Sequence, residues 1–137
     1  MADSRHVVTS FLRYKGRILL LQRSSHVGTY QGRWAGCSGY IEGNEDAIDR
    51  ALIEIQEETR LSKEDVKLIR TGQPLEVIDK DKGIIWIVHP FLFEISTDEI
   101  QLDWEHKKHK WIDPQDLSKF ETVPKLFEAY EQVKDYP

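Results

Sequence analysis

The sequence predicts one domain of the α/β or α+β sandwich class, and three observations support this prediction. The chain has 137 residues, which is long enough for one hydrophobic core and too short for two ordinary domains. Its apolar fraction of 39% and charged fraction of 31% are typical of a folded globular protein. Apolar runs with strand character alternate with two segments of helical periodicity, an order that indicates helices packed on a sheet. We therefore expect residues 1–137 to form a single domain.

The predicted strands begin with a hairpin. Apolar runs at residues 6–14 and 17–22 are joined by Lys15 and Gly16, and glycine accepts the positive φ that a tight turn requires. Pro90 lies inside a later apolar run and indicates a bulge or a sheet edge there, because proline has no N–H for a ladder. The further strands are expected near residues 34–38, 66–69, 75–78, 84–94 and 108–112.

Two helices complete the predicted fold. Asn44 has the residue type of an N-cap for a helix over residues 45–59, whose apolar residues recur at three- and four-residue steps and form one core-facing stripe. A last helix is expected to start after Thr122 and run toward Val133, with Pro124 in its first turn.

Composition and charge exclude several classes of protein. A net charge of −5 argues against dedicated binding to nucleic acid or to an anionic membrane, since phosphate groups favour clustered Lys and Arg. The single cysteine, Cys37, forms no intrachain disulfide and indicates a reducing compartment. No apolar stretch reaches the roughly 18 to 20 residues of a membrane span, and the first residues lack the pattern of a signal peptide. We therefore expect a cytoplasmic protein.

Three carboxylates lie close together on the first predicted helix. Glu54, Glu57 and Glu58 fall on a face beside the apolar stripe, where like charges repel by a few tenths of a kcal/mol per pair. A solvated helix face would place Lys or Arg three or four residues further along, but only Arg60 follows Glu57 in this way. Under-neutralised oxygen ligands are what Mg²⁺ or Mn²⁺ requires.

The spacing of these residues resembles a known signature. Gly39, Glu45 and the run IEIQEETRL at residues 53–61 resemble the Nudix box of the Nudix hydrolase superfamily. This resemblance implies an α/β/α sandwich with a mixed β-sheet between helices. It also implies metal-dependent hydrolysis of a pyrophosphate bond in a nucleoside diphosphate linked to another moiety, with Mg²⁺ or Mn²⁺ as cofactor.

The resemblance also assigns roles to site residues. It implies that Glu54, Glu57 and Glu58 are catalytic metal ligands, that the backbone carbonyl of Ser38 is a further ligand, and that Glu45 has a supporting role. Some family members take another glutamate from a late loop as ligand or general base. Glu105, in the stretch LDWEHKKHKW, is the candidate here, with a plain surface carboxylate as the alternative. The histidines of this stretch, His106 and His109, are secondary candidates for that role and are expected to be solvated, because a lone histidine in a loop usually is.

The predicted substrate is a small-molecule nucleotide, and its contacts are harder to assign. Arg23 and Arg33 are candidates for binding phosphate, and Trp34, Trp86 and Trp104 for stacking on a base. Trp86, inside an apolar strand, is expected mainly to pack in the core. The markers that separate substrate classes in the family are absent, so the sequence names no particular nucleotide, and it leaves open whether the protein is a homodimer.

Two residues depart from the family signature. Ile53 occupies the place of an arginine, and Arg60 occupies the place of the glycine that follows the helix. We hypothesise that Arg50, on a neighbouring part of the same helix face, partly substitutes for the missing arginine. The stretches VGTYQGRWAG, VHPFLF, LDWEH and ETVP further resemble a Nudix subgroup known largely from archaea.

Two alternatives to a hydrolase remain at this point. The departures at Ile53 and Arg60 are compatible with a non-catalytic, nucleotide-binding regulatory Nudix module. The isopentenyl diphosphate isomerases share the fold and use a cysteine shortly after a tryptophan, and here Cys37 follows Trp34. The intact carboxylates argue against the first alternative, and the ordinary hydrolase spacing of the box argues against the second.

Overall fold

The computed structural model describes residues 3–134, and its strands form one mixed sheet between helices. The strands are β1 (Asp3–Tyr14), β2 (Arg17–Arg23), β3 (Trp34–Ala35), β4 (Cys37–Tyr40), β5 (Val66–Thr71), β6 (Leu75–Asp79), β7 (Ile84–Ile95) and β8 (His106–Ile112). The helices are α1 (Ala47–Thr59) and α2 (Leu126–Glu131), with short 3-10 helices at Lys63–Asp65 and Pro114–Lys119. All strands predicted from the sequence are present.

Strands β1 and β7 form the centre of the sheet and run parallel to each other. On its other side β1 pairs antiparallel with β4 and then with β2, while β7 pairs antiparallel with β6 and then with β5. Strands β3 and β8 extend the sheet from β2. The predicted hairpin turn has positive φ at both Lys15 (50°) and Gly16 (80°), the backbone that matches the twist of the two strands.

Alternating side chains divide the core between the two faces of the sheet. On β1 and β7, Leu12 and Phe93 pack on the face covered by α1, whereas Phe11 and Leu92 pack on the face covered by α2. The protein is therefore an α/β/α sandwich with a mixed sheet, as the sequence predicts.

Pro90 lies in the middle of β7, which has neighbouring strands on both sides. Its carbonyl accepts a hydrogen bond from the N–H of Gly72 (3.0 Å), so its ring nitrogen faces the side where the chain passes from β5 to β6. The interruption that proline predicts is therefore a gap between β5 and β6, and β7 itself continues its regular pairing with β1.

Both helices start later than the sequence predicts. Helix α1 begins at Ala47 after Asp46, so the N-cap predicted at Asn44 is wrong. The reason is that the carboxylate of Glu45 accepts from the N–H of Glu42 (2.7 Å) and from Arg50, which holds the preceding residues in a turn.

Helix α2 begins at Leu126, because the residues before it pair with β3. The N–H of Trp34 donates to Glu121 and its carbonyl accepts from Val123, and Lys125 then adopts a left-handed φ of 61°. The predicted start after Thr122 is therefore wrong. Neither helix in residues 3–134 is long and apolar enough to cross a membrane.

Candidate active site

Helix α1 presents two buried carboxylates to strand β4. Glu54 and Glu58 lie about one helical turn apart and are only 8% and 1% exposed. The N–H of Ser38 donates to Glu58 Oε1 (3.2 Å). Glu54 lies directly on Gly39, where an added Cβ would be 2.1 Å from Glu54 Cδ. Strand β4 thus donates a hydrogen bond to Glu58 through Ser38, and it leaves room for Glu54 because Gly39 has no side chain.

Arg50 connects Glu54 to the turn before α1. Its Nη1 donates to Glu54 Oε2 (3.0 Å), while its Nε and Nη2 donate to the two oxygens of Glu45 (3.0 and 2.8 Å). A guanidinium that binds a carboxylate through two parallel hydrogen bonds is fixed in direction as well as in position. The hydrogen bonds from Arg50 are also the main reason why the pKa of Glu45 is lowered.

Glu105 reaches the same place from the chain segment before β8. Its backbone carbonyl accepts from the N–H of Ser24 (2.7 Å) and its own N–H donates to Asp103 Oδ1 (3.2 Å), so the segment is fixed to the end of β2. Carboxylate oxygens of Glu54, Glu58 and Glu105 all lie within 4.8 Å of one another. Glu105 therefore joins two glutamates of α1 that precede it by 51 and 47 positions in the sequence.

The electrostatics of this group fit a divalent cation. Burial is the largest cause that raises the pKa of all three carboxyls, and for Glu58 a hydrogen bond shared with Glu54 raises it further. Glu58 Oε2 is buried and has no hydrogen-bond donor among the described residues when both carboxylates are ionised. It therefore needs either a shared proton or a cation. Hard oxygen ligands of this kind suit Mg²⁺ or Mn²⁺.

A cleft of about 580 Å³ opens beside the carboxylates, on the face of the sheet that carries α2. Glu57, which is exposed and lies outside the group of three, lines it together with Glu54 and Glu105. Tyr40 and Trp86 line another part, with ring centroids 5.7 Å apart and planes inclined by 27°. Tyr40 is 53% exposed, so an aromatic ring is open to a ligand in the cleft.

The cleft also contains basic side chains from three separate segments. Arg23 is held in place by Thr29, whose carbonyl and hydroxyl oxygens accept from it at 3.0 and 3.2 Å. Lys82, from the turn before β7, and Lys125, from the start of α2, line the cleft as well. The cleft therefore combines carboxylates, an aromatic surface and cations.

Residues 4–133 match the family model of the NUDIX domain. The chain belongs to the Nudix family. It is accordingly an enzyme of the pyrophosphohydrolase class, and its fold is that of the Nudix hydrolases. No curated protein sequence matches the chain.

Several solved structures share this Nudix fold. A MutT NUDIX hydrolase from Burkholderia pseudomallei is 24% identical, with a TM-score of 0.76 over 96% of this chain and 99% of that one. The C. elegans Ap4A hydrolase is 23% identical, with a TM-score of 0.72 over 95% and 93%. The NUDIX domain of Shewanella oneidensis NrtR, solved with ADP ribose, is 18% identical, with a TM-score of 0.73 over 96% and 87%.

The two departures from the Nudix box have different structural consequences. Ile53 is 40% exposed, and Arg50, one turn before it, makes the contact to Glu54 described above. Arg60 adopts a left-handed φ of 67° and donates its N–H to the carbonyl of Gln56 (2.9 Å). The helix therefore ends with the backbone that glycine prefers, and Arg60 carries the associated strain.

The structure separates some predicted site residues from this Nudix cleft. Arg33 donates to the carbonyl of Thr122 (3.2 Å), and Trp34 packs edge to face against Phe120. Within residues 3–134 neither Arg33 nor Trp34 lines the cleft. Both residues lie where β3 pairs with the segment before α2. The sequence pattern does not predict this pairing.

The surroundings of Cys37 are those of a core residue. Cys37 is 1% exposed and packs in the core beneath α1, and burial raises the pKa of its thiol, so it lacks the access and ionisation of an isomerase catalyst.

His109 is exposed as predicted, but the prediction of a solvated His106 is wrong, because its side chain is 2% exposed.

Three further residues line the cleft and were not predicted from the sequence: Tyr40, Lys82 and Lys125. For Tyr40 a signal existed, since it follows Ser38 by two residues in a strand and alternation places both on the same face. Trp86, expected mainly in the core, is buried and also lines the cleft. The two lysines come from turns that only the assembled fold brings to the cleft.

Proposed function

We propose that this protein hydrolyses, with Mg²⁺ or Mn²⁺, a pyrophosphate bond in a nucleoside diphosphate linked to another moiety, and that residues 1–137 form a single Nudix domain. The observation that carries the proposal is the group of Glu54, Glu58 and Glu105, whose oxygens lie within 4.8 Å of one another beside a cleft. Crowded carboxylates repel one another, and a bound cation relieves that repulsion.

In this proposal Glu54 and Glu58 hold the metal, with Glu57 and the backbone carbonyl of Ser38 as further ligands. When bound, the metal neutralises charge on the phosphates and lowers the pKa of a coordinated water. Arg50 keeps Glu54 in place through the hydrogen bond at 3.0 Å. Glu105 acts as a further ligand or as the general base, and its raised pKa, caused mainly by burial, makes it a stronger proton acceptor.

The rest of the cleft supports a nucleotide as substrate. We infer that the exposed face of Tyr40, backed by Trp86, stacks on the base, since aromatic pairs bind planar rings at low entropic cost. Arg23, Lys82 and Lys125 bind phosphate oxygens. The Ap4A of the C. elegans hydrolase and the ADP ribose in the NrtR domain suggest which nucleotide derivatives to test first.

The test is a phosphate-coupled hydrolysis assay with Mg²⁺ and then with Mn²⁺, in which a coupling phosphatase or pyrophosphatase converts the products to inorganic phosphate. The substrates are nucleoside triphosphates, ADP-ribose, NADH, nucleotide sugars and dinucleoside polyphosphates. We expect metal-dependent turnover of at least one substrate class, with large losses in Glu57→Gln and Glu58→Gln. Binding of a nucleotide without product formation would instead favour the regulatory module, to which the departures at Ile53 and Arg60 point.

A further inference from the structure

A tight turn at residues 103–106 brings the side chain of His106 against Glu58 and places Asp103 behind His106. Asp103 Oδ1 accepts from the N–H of Glu105 (3.2 Å) and lies 3.0 Å from His106 Nδ1. The N–H of His106 donates to the carbonyl of Asp103 (3.3 Å), and Ser24 Oγ donates to the carbonyl of Trp104 (2.9 Å). The turn is therefore closed on itself and fastened to the end of β2.

The second ring nitrogen of His106 faces the buried glutamate. Its Nε2 lies 3.8 Å from Glu58 Oε1, and the two side chains are 2% and 1% exposed. That distance is too long for a hydrogen bond, so the contact is one of packing and orientation. The imidazole cannot move away, because Asp103 holds its other nitrogen and His106 itself pairs with Arg23 at the start of β8.

Glu58 has little else to fix its direction. The N–H of Ser38 donates to Oε1 at 3.2 Å, and when Glu54 and Glu58 are both ionised Oε2 has no hydrogen-bond donor among the described residues. A carboxylate with one long hydrogen bond can rotate about its last torsion, which is a broad and weakly restricted one. A rigid ring packed against Oε1 removes that freedom before a cation binds.

We propose that His106 is a positioning residue that holds the carboxylate of Glu58 in the orientation required by the divalent cation, while Asp103 fixes the imidazole. The inference rests on the proposed function, since it takes Glu58 as a metal ligand. Groups that orient metal ligands from behind typically contribute about 10- to 100-fold to metal affinity. A merely structural role, in which His106 fills space beside Asp103, predicts a loss of stability and no change in metal affinity.

Two variants of the full chain separate these roles. His106→Asn keeps an amide near the position of Nδ1, within reach of Asp103, but ends short of Glu58. His106→Gln places its amide near the position of Nε2, beside Glu58. Mn²⁺ binding is measured by electron paramagnetic resonance of the free ion, and turnover is measured as a function of Mn²⁺ concentration.

We expect His106→Asn to weaken Mn²⁺ binding by about tenfold and to raise the Mn²⁺ concentration needed for half-maximal turnover by the same factor. Turnover at saturating Mn²⁺ should recover to near the wild-type value, and His106→Gln should bind Mn²⁺ nearly as well as wild type. His109→Asn, on an exposed residue of the same strand, is the control and should change neither quantity. Thermal denaturation reports the stability of each variant.

Unchanged Mn²⁺ affinity in His106→Asn would overturn the inference and leave the proposed function intact. A loss in His106→Gln without a loss in His106→Asn would also overturn it, because the effect would then lie at Asp103 and not at Glu58. If wild type bound no Mn²⁺, or if Glu58→Gln bound it as tightly as wild type, the proposed metal site would fail and the inference would fail with it.

Discussion

Replacement of Gly39 by alanine is expected to displace the carboxylate of Glu54 while the protein remains folded. The new Cβ would lie 2.1, 2.4 and 2.5 Å from Glu54 Cδ, Cγ and Oε1, whereas ordinary van der Waals contact begins at 3.4 Å. The carboxyl carbon must therefore move by at least 1.3 Å. Gly39 has no left-handed φ, so alanine fits its backbone and the clash falls on the side chain of Glu54.

The size of the effect follows from what Glu54 loses when it moves. A shift of 1.3 Å breaks the 3.0 Å hydrogen bond from Arg50 and takes an oxygen out of the group that lies within 4.8 Å. A misplacement of about 1 Å in a catalytic group can lower turnover by about 100-fold, which corresponds to about 2.7 kcal/mol in the activation free energy. We expect a loss of kcat/KM of this order in Gly39→Ala.

The assay compares kcat/KM and the melting temperature of Gly39→Ala with those of Gly72→Ala. A Cβ at Gly72 would lie 2.8 Å from Gln132 Cβ and Val133 Cγ1, so the control crowds the packing of the last helix and not the carboxylates. It should lower the melting temperature and leave kcat/KM near the wild-type value. Wild-type kcat/KM in Gly39→Ala, or an equal loss in Gly72→Ala, would refute the reasoning.

Three other substitutions have defined expectations. Arg50→Ala should weaken Mn²⁺ binding by about tenfold, because Glu54 loses the group that orients it; unchanged affinity in a Mn²⁺ titration would show that Arg50 does not replace the missing arginine. Arg60→Gly should raise the free energy of unfolding by about 1 kcal/mol, because glycine adopts the φ of 67° without strain; urea denaturation measures this, and a loss of stability would contradict it. In metal-free protein, the free energy of unfolding should fall as pH rises above 4.5, the ordinary pKa of a glutamate. Burial raises the pKa of Glu58 in the folded state, so above that pH the folded state still holds a proton that the unfolded chain has released. Glu58→Gln should flatten this dependence in melting curves recorded with a chelator, and an unchanged slope would count against the raised pKa.

The parts of the site that lie within one helix could be predicted from the sequence. Glu54 and Glu58 share a face because a helix repeats every 3.6 residues, and no long-range contact is needed to know it. Arg50 falls on that face for the same reason, and the structure places its guanidinium 3.0 Å from Glu54. The approach of Glu105 is different, because it depends on the hydrogen bond that joins the segment before β8 to Ser24.

The parts that depend on strand register could not be predicted in the same way. Trp34 was a reasonable candidate for stacking on a base, but its contact with Phe120 is set by the pairing of β3 with residues far along the chain. His106 was expected in solvent because a lone histidine in a loop is usually solvated, and its burial follows from the turn that Asp103 closes. In both cases a tertiary contact overrides a local pattern.

The carboxylate group is a charged exception in a core that is mostly apolar. Here Glu58 is buried with an oxygen that lacks a donor among the described residues, beside two other carboxylates. Such local conflicts are expected at functional sites, where another requirement competes with stability. A cation that binds only the folded state recovers the lost stability. At these positions, a substitution that stabilises the metal-free protein should therefore weaken metal binding. Glu58→Gln should raise the free energy of unfolding of the metal-free protein at neutral pH and lower its affinity for the metal.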